Sequence, residues 1–251
     1  MVSSLNFRVF RDEGVNDNSY QDVKKVLKDR FPSAKVSKIK AVQVLEKGFL
    51  KSIHLLVIPG GQFSKMKNVL KEKGLNKIKK YAKKGGKLIS ICAAAYGFSC
   101  SSTFICEDPI ERKDNPWAVF SGKAIGPIYR ESNYLSSEGF KACQLIQGDS
   151  KGYSYYQGGA AFTELDSDTE VIARYCDFIP DPNHAHLKQL EDQPPAVIVT
   201  KNNVVMVGCH PESDLEGFLA VDMVANAAKK VFESKEFRSN IWNAIFQKLR
   251  L

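Results

Sequence analysis

The sequence predicts an α/β protein: a mostly parallel sheet flanked by helices, carrying an antiparallel or mixed β extension. Three observations predict it. Strand-like and helix-like stretches alternate from Asn6 to Cys92, the mark of consecutive βαβ units. Two short apolar runs, His54 to Ile58 and Leu88 to Ile91, lack the polar alternation of a half-exposed strand and read as strands buried on both faces. From Phe104 to Ile179 the texture changes to short segments broken by Gly and Pro, WAVFSGKAIGPIY, FKACQLIQG, YSYYQGGAAF and TEVIARY, which read as strands and not as helical crossovers.

The elements follow in order. Asn6 to Phe10 is a first strand, and the polar RDEGVNDNS turn supplies Asn18 or Ser19 as the cap of a helix from Tyr20 to Arg30. A second extended piece follows Pro32. The run ending at Ile58 stops at Pro59-Gly60-Gly61, and a lysine-rich helix comes next. Met66, Val69, Leu70, Leu75, Ile78 and Tyr81 recur at helical spacing between Lys65, Lys67, Lys71, Lys73, Lys77, Lys79, Lys80, Lys83, Lys84 and Lys87, so the charges read as a solvated face. No stacking aromatics interleave with them, and nucleic acid is not expected as a partner. After the β-rich stretch, Ile179 to Pro195 is a loop whose His184, His186 and Asp181 read as polar surface and not as a metal site. Ala196 to Thr200 and Val204 to Val207 form a hairpin around Lys201-Asn202-Asn203. Ser213 and Glu216 form a capping box for a helix from Asp214 to Phe232. A last helix, about Glu236 to Leu249, packs Phe237, Ile241, Trp242, Ile245 and Leu249 on the domain.

The chain has 251 residues, 43% of them hydrophobic, enough for one large α/β domain, and no linker forces a boundary within 1–251. No apolar run reaches the length of a membrane span, and the N-terminus lacks a signal-peptide core. A cytoplasmic protein without membrane contact is expected. The six cysteines are scattered without zinc-like spacing and read as free thiols, and no cofactor or metal is expected.

Chemistry concentrates at KLISICAAAYGFS. Cys92 ends an apolar strand and small residues follow at once, so it sits at a sharp strand-to-helix turn, with Ser90 and Ala94 two places away on either side. A thiol at the start of a helix is favoured as thiolate, which makes Cys92 a candidate nucleophile; the alternative is one more buried, inert cysteine. Pro59-Gly60-Gly61 lies at the end of another strand, where ligands bind in parallel sheets, and its glycines leave backbone N–H groups open to a developing oxyanion. A nucleophilic thiol needs a base, and the base needs an orienting group. His210 follows an apolar strand with Glu212 two places on, so the carboxylate can hold one ring nitrogen while the other faces the thiol. Tyr156, Gly158 and Gly159 of YSYYQGG are further candidates for the pocket wall.

A cysteine on such an elbow followed late by His-Pro-Glu resembles the class I glutamine amidotransferase-like superfamily, which has a flavodoxin-like core. Within it, the phrases RVFRDEGVNDNS, HLLVIPGGQ, ISICAAAYGFS, SYYQGGAAF, EVIARY and VVMVGCHPES resemble the N-terminal amidotransferase-like domain of eukaryotic-type biotin–protein ligases. The resemblance covers most of the chain. It implies a Cys92-His210-Glu212 triad, oxyanion donors at Gly61 and Ala93, and acyl transfer on a small-molecule amide or related substrate, with a protein partner that consumes the product. No ligase domain or Gly-rich adenylate loop is recognised, so attachment of biotin is not expected of this chain. Ser90 and Ala94 stand where amidotransferases usually carry glycine, which makes the elbow tighter. Two other arrangements remain open at this level: a binding or regulatory module without turnover, and Asp12 or Glu13 holding the thiolate in place of His210.

Overall fold

The computed structural model describes residues 5–106, 109–129, 140–215 and 222–251. The first half builds the parallel core: β1 (Asn6–Phe10), α1 (Asp17–Arg30), β2 (Lys35–Ile39), the short α2 (Ala41–Leu45), β3 (Leu55–Ile58), α3 (Phe63–Lys83), β4 (Lys87–Ile91) and α4 (Ala93–Phe98). A last parallel strand, β13 (Val204–Val207), arrives from far along the chain and pairs with β4, giving the parallel order β2-β1-β3-β4-β13. Each βα connection crosses back over the sheet, so the strands share one direction and their carboxyl ends share one edge.

The β-rich stretch divides in two. Three of its strands, β8 (Lys141–Gln147), β9 (Ser150–Tyr156) and β11 (Glu170–Tyr175), continue the main sheet antiparallel through β12 (Pro195–Val199) to β13. The others, β7 (Phe120–Gly126) and β10 (Ala161–Thr163), join β5 (Ser99–Phe104) and β6 (Ile110–Arg112) in a second sheet of order β10-β7-β5-β6. The extension thus starts at Ser99, earlier than the boundary expected near residue 104. SCSSTF is polar and small enough to hide its strand character, yet β5 pairs in parallel with β7.

Burial explains the apolar runs. Along β3, Leu55 and Val57 face a cluster shared with Tyr20, Val23 and Leu27 of α1, while Leu56 and Ile58 face Met66, Leu70 and Ile78 of α3. A strand covered on both faces needs apolar residues at every position, which is why its pattern is continuous. The lysines of α3 lie on its outer side, and the helix is broken at Lys71, whose backbone (φ 53°, ψ 173°) is not helical.

Two helix starts differ from expectation. α1 begins three residues earlier than Tyr20 because Asn16, not Asn18 or Ser19, is the cap: its side chain accepts the Ser19 N–H at 3.1 Å. Downstream, Asp214 and Leu215 are not helical, and the described helix α5 runs Asp222–Glu233. Glu216, the second member of the expected capping box, lies outside the described residues, while the Ser213 hydroxyl donates to Asp22 at 2.9 Å. The last helix, α6 (Lys235–Lys248), buries Phe237, Ile241, Trp242, Ile245 and Leu249 against the α1 side of the sheet. Among the described residues, no helix is long and apolar enough to cross a membrane.

Candidate active site

Cys92 is the hinge between β4 and α4. Its backbone has φ 52° and ψ −111°, a conformation that side-chain-bearing residues rarely adopt and that persists only when the surroundings impose it. They do so from both sides. The Cys92 N–H donates to Val207 O at 2.7 Å, tying the elbow to β13, and its carbonyl accepts from Ala95 and Tyr96 in the first turn of α4. Ser90 and Ala94, both fully buried, fit the elbow without glycine. The Cys92 side chain, 6% exposed, opens on a cavity of about 780 Å³, and its sulfur lies 3.7 Å from Gln157 O.

His210 reaches the same cavity from a turn beyond β13. Its N–H donates to Tyr155 O at 2.8 Å, which pins the turn to the end of β9, and its ring rests against the Tyr155 ring at 5.1 Å. Nδ1 lies 2.8 Å from Glu212 Oε1, and both side chains are almost wholly buried. Residues i and i+2 thus meet through a turn and not through the strand end expected from the sequence. Burial disfavours a charged imidazole, but the Glu212 carboxylate and the Cys92 sulfur outweigh it and hold His210 protonated well above its usual range.

The glycine loop divides its roles. Gly61 lines the cavity with φ +147°, a region for glycine, and a Cβ there would lie 2.0 Å from Gly14 O. Its N–H finds no hydrogen-bond acceptor among the described residues, and Ala93 lines the cavity beside it. Gly60 is not a cavity donor: its N–H donates to Ser19 Oγ at 3.1 Å. What Gly60 supplies is space, since a Cβ would sit 2.5 Å from His210 Cε1 and 3.4 Å from Cys92 Cβ. Gly158 lines the cavity; Tyr156 and Gly159 do not. Tyr156 is fully buried, donating to Gly159 O at 2.7 Å and accepting from Ile128 N, while a Cβ on Gly159 would strike Gly208 O at 1.7 Å. Asp12 is engaged elsewhere, accepting from Ala41 N at 2.9 Å, and Glu13 is exposed; neither lines the cavity.

The biotin-protein ligase N-terminal family matches the chain over residues 5–251. The chain belongs to that family. Among curated proteins, a biotin–protein ligase of Schizosaccharomyces pombe is 29% identical over 185 residues, 68% of this chain and 27% of that protein. An uncharacterised protein of Chlamydia muridarum is 35% identical over 137 residues, 51% of this chain and 52% of its own length. The chain therefore spans about a quarter and about half of these two relatives. Among solved structures, a glutamine amidotransferase from Thermotoga maritima superposes with TM-score 0.58 at 10% identity, covering 98% of this chain and 97% of that one. A second glutamine amidotransferase gives 0.56 at 16%, covering 88% and 98%. The fold of this family member is thus the class I glutamine amidotransferase-like fold.

Several groups around the cavity escaped the sequence reading. Ser19, 4% exposed, accepts from Gly60 N and donates to Glu212 Oε1 at 2.8 Å, joining the glycine loop to the His210–Glu212 pair. Arg238 of α6 sends Nη1 to Ser213 O and to Pro211 O, the latter at 3.3 Å, and so braces the turn that carries Glu212. Tyr155, not Tyr156, faces the cavity. Strand residues alternate sides, and an aromatic pair offers no polar alternation to say which one points outward. Asp22 of α1 also lines the wall; burial pushes its carboxyl up to about 6, with the Ser213 hydroxyl pulling back and Glu212 and Asp214 pushing further. Away from the cavity, His184 pairs with Asp181 at 3.1 Å and His186 lies 3.6 Å from Glu111. No cluster of three His, Cys, Asp or Glu suited to a metal occurs among the described residues.

Proposed function

We propose that the protein is a cysteine-dependent amidase or acyl-transfer protein acting on a small carboxamide or a related C–N bond. The observation that carries the reading is the strained Cys92 elbow opening on a cavity with a buried His210–Glu212 pair behind it. The Cys92 thiolate adds to the carbonyl carbon, and the resulting oxyanion is met by the N–H groups of Gly61 and Ala93. The His210 imidazolium gives its proton to the departing amine, leaving a thioester on Cys92. Water, deprotonated by neutral His210, then adds to the thioester and releases the carboxylate and the thiolate. Glu212 holds the ring orientation and stabilises the imidazolium through both steps. The glutamine amidotransferase structures support the scaffold, although one scaffold serves many reactions. A protein partner that takes up the amine is part of the proposal.

The test is alkylation of Cys92 across pH, followed by intact mass, with the other five cysteines replaced. Cys92 is expected to be alkylated faster than an unactivated thiol and to lose that advantage in His210→Ala. An ordinary profile in the unsubstituted protein would overturn the catalytic reading in favour of a ligand-binding module, for which the cavity is large enough.

A further inference from the structure

One face of the second sheet contributes to the cavity wall. In the antiparallel β5–β6 pair, Ser102 lies opposite Arg112 and Phe104 opposite Ile110, so these four side chains share a face, and all four line the cavity. Arg112 is half-buried, with its guanidinium 5.6 Å from the centroid of the Phe63 ring, which also lines the cavity. Among the described residues no carboxylate pairs with it, and burial alone depresses its pKa. A half-buried guanidinium against an aromatic ring keeps donors directed for a planar anion. Beside it the surface is apolar: Phe104, Phe63 and Ile110, the last 60% exposed at the mouth. Asp22 and Asp214 also line the cavity, the second ion-paired to Lys25 at 2.7 Å. The lining thus carries a cation from the second sheet and a carboxylate from α1.

We infer that Arg112 is the anion-recognising residue of the pocket, selecting substrates that carry a carboxylate on an aliphatic segment lying along Phe63, Phe104 and Ile110. The inference rests on the reading of Cys92 as nucleophile, and it adds a substrate class that the cysteine, histidine and glutamate do not specify. A bidentate guanidinium–carboxylate contact pairs opposite charges through two hydrogen bonds, whereas a primary amide of the same shape offers one acceptor oxygen and no charge.

The test uses Cys92 as its own reporter. N-alkyl iodoacetamides ending in a carboxylate are compared with analogues ending in a primary amide, over a series of spacer lengths, again with the other cysteines replaced. The readout is the ratio of the two alkylation rates within each protein, so general changes in reactivity cancel. A ratio of about tenfold or more in favour of the carboxylate is expected at one spacer length, the size of a charge-assisted hydrogen bond, and it should fall to about one in Arg112→Gln and recover in part in Arg112→Lys. His210 is the other cation at the cavity, and it acts at the shortest spacers, next to the sulfur. A ratio near one at every spacer in the unsubstituted protein overturns the inference even if the variants fail to fold. So does a preference that survives in Arg112→Gln. If neither probe alkylates Cys92, the nucleophile reading fails, an outcome distinct from reaction without charge preference.

Discussion

Ser19 shows how much a single small residue can hold. Its hydroxyl accepts from Gly60 N of the glycine loop and donates to the Glu212 carboxylate that contacts His210, at 3.1 and 2.8 Å. Removing it strands a buried N–H, at a cost of about 1–3 kcal/mol, and takes one hydrogen bond from a buried carboxylate that keeps its contact to His210. Ser19→Ala is therefore expected to lower unfolding stability by about 1–3 kcal/mol and to shift the pH profile of Cys92 alkylation, since Glu212 loses its second restraint. Urea unfolding together with alkylation kinetics checks it; an unchanged profile would mean that Ser19 is structural only. Nothing local marks this serine. In NDNSY it reads as a helix cap, and with Asn16 taking that role its hydroxyl is free to turn inward.

At the scale of elements, α6 does more than cover the sheet. Its apolar face was legible from spacing, and Phe237, Ile241, Trp242 and Ile245 pack as read. Arg238, one place beyond Phe237, breaks that pattern. It is buried, and its guanidinium serves the carbonyls of Val231, Pro211 and Ser213. The turn holding Glu212 thus hangs from a helix that starts more than twenty residues later in the chain. Arg238→Met should cost about 2–4 kcal/mol, since a charged donor set is lost from buried carbonyls. It should also weaken the His210 dependence of Cys92 reactivity. A change in urea midpoint equivalent to less than about 0.5 kcal/mol, the level of an ordinary surface substitution, would contradict this role. The β elements teach a related lesson. The segments from Phe120 to Tyr175 were readable as strands, but YSYYQGGAAF splits into β9 and β10, and which strands join the main sheet and which join β5 was not legible, because pairing depends on neighbours outside each strand.

For the whole molecule, the clearest consequence is in the pH dependence of stability. Asp22 binds its proton up to about 6 in the folded protein, against about 3.9 in an unfolded chain. Between those values the folded state holds more protons, so stability falls as pH rises through this window. His210 acts in a separate window. Its raised folded value gives stability that is fully present below about 6.5, its unfolded value, and is lost as pH climbs through the folded one. Thermal unfolding from about pH 4 upward is expected to show both declines, and Asp22→Asn should flatten the first while leaving the second. A first decline that persists in Asp22→Asn would show that other carboxylates produce it.

Local pattern determined a good deal of this protein. Periods of two and of 3.6 residues, with glycine and proline as stops, placed the strands of the parallel core, the elbow at Cys92, the Pro59-Gly60-Gly61 turn and the His210–Glu212 pair, because each depends on near neighbours in the chain. Tertiary structure alone decided that Gly60 makes room for His210 and gives its N–H to Ser19, that Tyr155 and not Tyr156 lines the cavity, that Arg112 joins its lining, and that Ser19 bonds to Glu212. Those contacts join residues as far apart as Ser19 and Glu212, and they follow from strand order, register and the facing of two sheets. A periodicity says which side of an element is buried; only the assembled sheets say what it is buried against.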